Sequence, residues 1–224
     1  MFKIVINNHN RLTTTKAMVD KLLFIDPNEQ IIIIDNGSSY PPLLEWYREI
    51  GDKVNVRYHK NEGHLALWST QLDKELGSHF VYTDSDIELN EDFPMRWKEI
   101  MLSVLNRNPS YQKVALALEI DDLPDHYRYK HQAMRNEHRW WLKEVENMVY
   151  EADTDTTFAL YKNFNDNCFH SLRIAYTNMV ARHTGWYINL ENLSEEEQYY
   201  LDHFTEHETQ YSKQHKHPYK HTDI

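Results

Sequence analysis

The first half of the chain alternates short apolar runs with segments whose apolar residues recur at helical spacing. Phe2–Ile6 is an apolar run, and Thr13–Ile25 places Met18, Val19, Leu22 and Leu23 on one helical face before Asp26-Pro27-Asn28 closes it. Ile31–Ile34 is β-branched and runs into Asp35-Asn36-Gly37-Ser38, a strand that meets turn chemistry. Pro41-Pro42 opens a second helix reaching Ile50, because the first helical turn can spare the N–H that proline lacks. Val54–Tyr58 predicts a third strand, and Leu65, Trp68, Leu72 and Leu76 predict a third helix. Phe80–Thr83 predicts a fourth strand. Phe93, Trp97, Ile100, Met101, Val104 and Leu105 then predict an amphipathic helix with Phe93 and Trp97 in the core, and Val114–Leu118 a fifth strand.

Strands joined by helical crossovers predict an α/β fold, a Rossmann-like and mostly parallel sheet with helices on both faces. A chain of 224 residues suits a single domain. Residues 1–118 would form a nucleotide-binding half and 119–202 an acceptor or lid half laid over the sheet. Residues 203–224, rich in His and Lys, would form a tail that frays. Beyond residue 118 only Phe158–Tyr161 reads as a further strand.

Ligands of such sheets sit outside the carboxyl ends of the strands. Four polar clusters fall there: Asn7-Asn8-His9-Asn10-Arg11, Asp35-Asn36, Asn61-Glu62-Gly63-His64 and Asp84-Ser85-Asp86. Solvation alone does not require polarity at four successive strand ends. In the last cluster two carboxylates two residues apart can flank one hard cation, which prefers oxygen ligands and bridges to phosphate oxygens. On its own the tripeptide is a weak signal. Its address at the end of an apolar strand strengthens it.

Composition narrows the chemistry. A net charge of -11 repels phosphate backbones, so no nucleic-acid partner is expected. With 5 glycines the chain has neither a G-x-G-x-x-G fingerprint nor a P-loop, so a metal rather than a glycine cradle would have to hold a diphosphate. The single cysteine, Cys168, permits no internal disulfide and fits a reducing compartment, where it reads as a packing residue. Met1–Ile6 lacks the apolar core of a signal peptide, and no run approaches the ~18 apolar residues of a membrane span. A cytoplasmic protein with no transmembrane segment is therefore expected, with docking on a membrane surface left open.

The order Asn-Arg beyond the first strand, then Ile-Ile-Asp-Asn-Gly-Ser, Asn-Glu-Gly-His and Thr-Asp-Ser-Asp, resembles the GT-A glycosyltransferases, in particular inverting enzymes of the family-2 type. The likeness covers roughly the first half of the chain. Asp155–Tyr161 and Ala181–Tyr187 in the second half are similar to small bacterial and large-virus members. The resemblance implies that Asp35 reads the nucleobase and that Asn61, Gly63 and His64 line the nucleoside pocket. It implies that Asp84 and Asp86 hold ribose and a Mn2+ or Mg2+ ion bridging both phosphates. A histidine late in the chain often joins that cation, and His183 is the candidate here, imidazole suiting Mn2+ better than Mg2+.

An inverting transfer needs a base for the acceptor hydroxyl. Asp155 is favoured by its chain position in the resemblance, although an Asx-turn would suit Asp-Thr-Thr as well. Asp153, Glu119, Asp121 and Asp122 are the other candidates. Arg11 and Arg182 sit in motifs and could assist the leaving diphosphate, as could Lys130 and Arg173. Tyr127/Tyr129, Trp140-Trp141 and Trp186-Tyr187 are candidates for an acceptor groove, since sugar C–H faces pack on rings. The expectation is transfer of a hexose or deoxyhexose from a UDP-linked donor to a glycan or glycoside hydroxyl. The alternatives are a nucleotidyltransferase on the same sheet, a non-catalytic nucleotide-sugar-binding module, and a phosphohydrolase, whose nucleophilic Asp would normally follow the first strand rather than the fourth.

Overall fold

In the computed structural model, which describes residues 2–162 and 170–203, the chain runs through β1 (Lys3–Asn8), α1 (Thr13–Ile25), β2 (Ile31–Asn36), α2 (Pro41–Ile50), β3 (Asn55–His59), α3 (Ala66–Ser69), β4 (His79–Asp84), β5 (Ile87–Glu88), α4 (Trp97–Arg107) and β6 (Lys113–Leu118). It continues through α5 (Lys130–His138), β7 (Glu144–Glu146), β8 (Val149–Asp153), β9 (Ala159–Lys162), β10 (His170–Ile174), β11 (Val180–His183) and α6 (Glu195–Asp202). Cys168 and the tail beyond His203 lie outside the described residues.

The strands of the first half form where the apolar runs imply. β3, β2, β1 and β4 pair in parallel, in that order. The all-apolar runs of β1 and β2 are buried on both faces, as a parallel sheet requires. On one face Met18, Val19 and Leu22 of α1, Leu43 and Trp46 of α2, and Trp97, Met101 and Leu105 of α4 form the larger core. Phe93 joins it from the turn before α4. On the other face Ala66, Leu67 and Leu72 pack on Val5, Ile34, Phe80 and Tyr82.

The predicted third helix is broken. A 3₁₀ turn (Gly63–Leu65), the four residues of α3 and a second 3₁₀ turn (Leu72–Glu75) replace it. The break is local: Gln71 takes a left-handed φ of 60°, and Thr70 Oγ1 turns back onto the Ala66 carbonyl at 2.6 Å. A hydroxyl that satisfies its own helix's carbonyl competes with continuation.

The second half departs further from expectation. It supplies five strands of the sheet. β9 inserts antiparallel between β4 and β6, so β6 does not touch β4, and β10, β8 and β7 extend the sheet beyond β6. β9 is held by burial: Phe158, Ala159, Leu160 and Tyr161 are fully buried, and Tyr161 stacks on Phe80 at 5.1 Å. Each large side chain of this kind contributes roughly 1.5–3 kcal/mol. β7, β8, β10 and β11 are short and carry charged residues, which hid them from a pattern search. Ile120, Leu123, Tyr127 and Ala133 make a separate small core with Trp141, Trp186 and Tyr187 against it. Tyr127 and Trp141 therefore serve packing. No described helix is long and apolar enough to cross a membrane.

Candidate active site

The carboxyl ends of β1, β2 and β4 carry the polar clusters to one edge, and side-chain amides tie them together. Asn7 Nδ2 donates to the Gly63 carbonyl at 3.2 Å and to Asp84 Oδ1 at 3.4 Å. Asn36 donates to the same carbonyl at 2.9 Å and accepts from the Glu62 N–H at 2.7 Å. Asn61 accepts from the Gly63 N–H at 2.9 Å, closing a turn for which Gly63 takes a φ of 72°. Gly37, at a φ of 76°, lets this turn approach: a Cβ there would stand 2.9 Å from the Asn61 nitrogen. His64 is exposed in the 3₁₀ turn, its carbonyl taken by the Tyr82 hydroxyl at 2.8 Å.

Asp35 is buried. Its Oδ1 accepts from the Ser38 N–H at 3.0 Å, while Oδ2 has no hydrogen-bond partner among the described residues. Asn10, in the left-handed region at φ 53°, is structural: its Oδ1 accepts from the Ser39 and Tyr40 N–H groups at 2.7 and 2.9 Å and so fixes the start of α2. Neither role of Asn10 and Asn36 is visible in the sequence beyond their place at a strand end.

At the end of β4 the two carboxylates part ways. Asp84 points inward and accepts from the Thr156 hydroxyl, while its N–H donates to the Thr156 carbonyl at 2.8 Å. Burial, followed by the Asp86 charge, pushes its carboxyl well above the usual range. An acid whose pKa is raised on folding costs stability as pH climbs through the unfolded and then the folded value. Without metal, Asp84→Asn should therefore raise the melting temperature at pH 8, by roughly 2–4 °C per kcal/mol relieved, and leave it unchanged near pH 4. Thermal melts of both proteins at the two pH values in EDTA check this; an equal change at both would refute it.

Asp86, like Asp84, is half-buried, with Ser85 buried between the two. β11 returns antiparallel to β5 and sets His183 beside it, Nε2 standing 3.6 Å from Asp86 Oδ2. The Asp86 carbonyl accepts from the Thr184 N–H at 2.8 Å and its hydroxyl at 3.0 Å, pinning β11 to the motif. The imidazole stacks on Trp186 at 5.0 Å. Gly185 leaves room for the ring: a Cβ there would lie 3.0 Å from His183 Cε1.

Asp86 Oδ1 and His183 Nδ1 are buried and without hydrogen-bond partners among the described residues. The facing atoms, His183 Nε2 and Asp86 Oδ2, stand 3.6 Å apart, wider than the ~3 Å between adjacent ligands at ~2.1 Å on an octahedral cation, and are of the types that take a divalent ion. Among the described residues no group of three His, Cys, Asp or Glu side chains could hold a metal, so water or a ligand would complete the shell.

Asp155 lies in the β8–β9 connection, exposed beside the buried Thr154, Thr156 and Thr157, and next to the residue that binds Asp84. Of the other carboxylates, Glu119 Oε1 accepts from the Ile120 and Asp121 N–H groups, and Asp122 binds Arg182 and the Tyr187 hydroxyl. The four predicted cations are engaged elsewhere. Arg182, turned from Asp86 and His183 by strand alternation, donates through Nε and Nη2 to Asp122 Oδ2 at 2.9 and 2.5 Å. It borders a cleft of about 390 Å³ with Lys21, Glu88 and Glu119. The Arg11 guanidinium lies 3.9 Å above the Tyr200 ring of α6. Lys130 pairs with Asp125, and Arg173 with Glu137.

A family model described as "Glycosyl transferase family 2" matches residues 3–164. No curated protein matches the sequence. Among solved structures, GalNAc-T7 with UDP, GalNAc and Mn2+ is 11% identical over 73% of this chain and 35% of its own, with a TM-score of 0.45. Glucosyl-3-phosphoglycerate synthase from Mycobacterium tuberculosis in complex with phosphoglyceric acid is 13% identical over 72% of this chain and 57% of its own, with a TM-score of 0.43. CMP:2-keto-3-deoxy-manno-octonic acid synthetase complexed with CTP is 9% identical over 72% of this chain and 73% of its own, with a TM-score of 0.40. The chain thus spans about a third of the first of these and little more than half of the second.

Proposed function

The chain belongs to glycosyl transferase family 2 and is a glycosyltransferase, and from that premise we propose that it moves a sugar from a UDP-linked donor to a glycan or glycoside hydroxyl, with inversion and with a divalent cation. The observation that carries this is the pairing of Asp86 with His183. Two residues far apart in sequence meet at 3.6 Å on the ligand edge of the sheet, each with a buried polar atom left unsatisfied. The facing atoms, an imidazole Nε2 and a carboxylate Oδ2, are of the donor types that a divalent ion such as Mn2+ takes.

Asp86 and His183 would hold the cation, Mn2+ ahead of Mg2+ because of the imidazole, with Asp84 behind them toward ribose or metal. When bound, the ion supplies Lewis-acid stabilisation of the leaving diphosphate. Asp35, with a free buried oxygen, can accept from a nucleobase N–H, and Asn7, Asn61, Gly63, Ser85 and His64 shape the nucleoside pocket. Asp155 would take the acceptor hydroxyl's proton. Arg182 is proposed to act on the acceptor side, where Asp122 and Tyr187 fix it, and Arg11 in seating α6.

A thermal-shift panel of nucleotides and nucleotide sugars tests the donor class. At a hundredfold excess over Kd a ligand stabilises by ~2.7 kcal/mol, roughly 5–10 °C for a domain of this size. UDP compounds should give that shift with Mn2+ and little in EDTA. A shift of the same size in EDTA, or one confined to nucleoside triphosphates, would contradict the proposal.

A further inference from the structure

Lys113 opens β6 with no solvent exposure at all, and Arg173 of the neighbouring β10 is 4% exposed. Burying an ammonium or a guanidinium is expensive unless its protons are satisfied, and an apolar side chain would fill the same space more cheaply. Both cations donate to the same short segment. Lys113 Nζ donates to the carbonyls of Thr154 at 2.7 Å and Asp155 at 3.1 Å, and to the Tyr161 hydroxyl at 3.3 Å. Arg173 Nη2 donates to the Asp153 carbonyl at 3.0 Å while Nη1 pairs with Glu137 of α5. Three successive carbonyls, 153 to 155, are thus held from beneath by buried cations on adjacent strands.

The same segment is held at its sides. Thr154 Oγ1 shares a hydrogen bond of 2.6 Å with Ser171 Oγ, and Thr156 binds Asp84 through both its carbonyl and its hydroxyl. With the carbonyls turned inward and Thr154 and Thr156 buried, Asp153 and Asp155 are exposed, and Asp155 is the one next to the threonine that binds Asp84. We propose that Lys113 and Arg173 form a buried cationic cradle that positions the Asp155 carboxylate against the acceptor hydroxyl. They are positioning residues, and the proposal rests on the reading of Asp155 as the base.

The test is a double-mutant cycle of Lys113→Met with Asp155→Asn, scored by kcat, donor KM and Mn2+-dependent UDP binding. Misplacing a reacting group by about 1 Å costs on the order of 10²-fold, so Lys113→Met should lower kcat on that scale. Donor KM and UDP affinity should stay within about threefold. In the Asp155→Asn background the same change should cost almost nothing more, because contributions made through one group do not add. Should Lys113→Met fail to fold, Arg173→Lys, which keeps the charge but loses the planar fork, should show the same pattern with a fall of roughly tenfold. The proposal is overturned if the two losses multiply, if UDP binding falls as far as kcat, or if kcat is unchanged. An inactive Asp155→Asn beside a fully active Lys113→Met would sink the cradle alone. A fully active Asp155→Asn would sink the base reading and the cradle with it.

Discussion

Asp86→Ala should lower kcat/KM for sugar transfer on the order of 10³-fold or more and abolish Mn2+-dependent UDP binding, with the fold intact. The size of the loss is that of removing one preorganised stabiliser of leaving-group charge, combined with loss of a metal ligand. The fold should survive because the Asp86 side chain is part-exposed and its Oδ1 makes no internal hydrogen bond among the described residues. Removing its charge also takes one like charge away from the buried Asp84. Metal-free Asp86→Ala should therefore melt no lower than the parent above neutral pH. Steady-state kinetics with calorimetric UDP titration separates the two effects. Full activity, or intact Mn2+-dependent binding, would show that the cation is held elsewhere.

Asp155→Asn should lower kcat by roughly 10²–10⁴-fold, the range of a positioned general base, and leave UDP binding with Mn2+ unchanged. The amide keeps the shape of the side chain and loses the proton acceptor. The Asp155 carbonyl accepts from Lys113 Nζ at 3.1 Å, a contact the substitution preserves. A parallel loss of nucleotide affinity would place Asp155 in the donor site instead. If transfer survives, Asp153 is the nearest alternative, exposed at the end of β8.

The donor half could be read from the sequence because a parallel sheet buries whole runs of Ile and Val and ends each in polar residues. β1, β2 and β4 run just past those runs into the polar clusters, and α1 and α2 have the bounds their spacing implies. What could not be read depends on contacts between distant segments. Thr156 binds Asp84 across 72 positions, and nothing in Asp-Thr-Thr announces that partner. The place of His183 beside Asp86 follows from the β5–β11 pairing, two short strands with no apolar pattern. Arg182 stands one residue from His183 and looked equally suited to phosphate. Alternation along the strand sends it to the opposite side, onto Asp122. Lys113 stands just before the predicted strand Val114–Leu118, and only the antiparallel arrival of β9 and the β8–β9 connection shows that it is enclosed.

The most direct measurement is donor turnover, followed as UDP release from a UDP-sugar in the presence of acceptor, before and after chelation. Turnover should fall to background in EDTA, return when Mn2+ is added in excess, and stay at background in Asp86→Ala whatever the Mn2+ concentration. Turnover that persists undiminished in EDTA would contradict a metal site at Asp86 and His183.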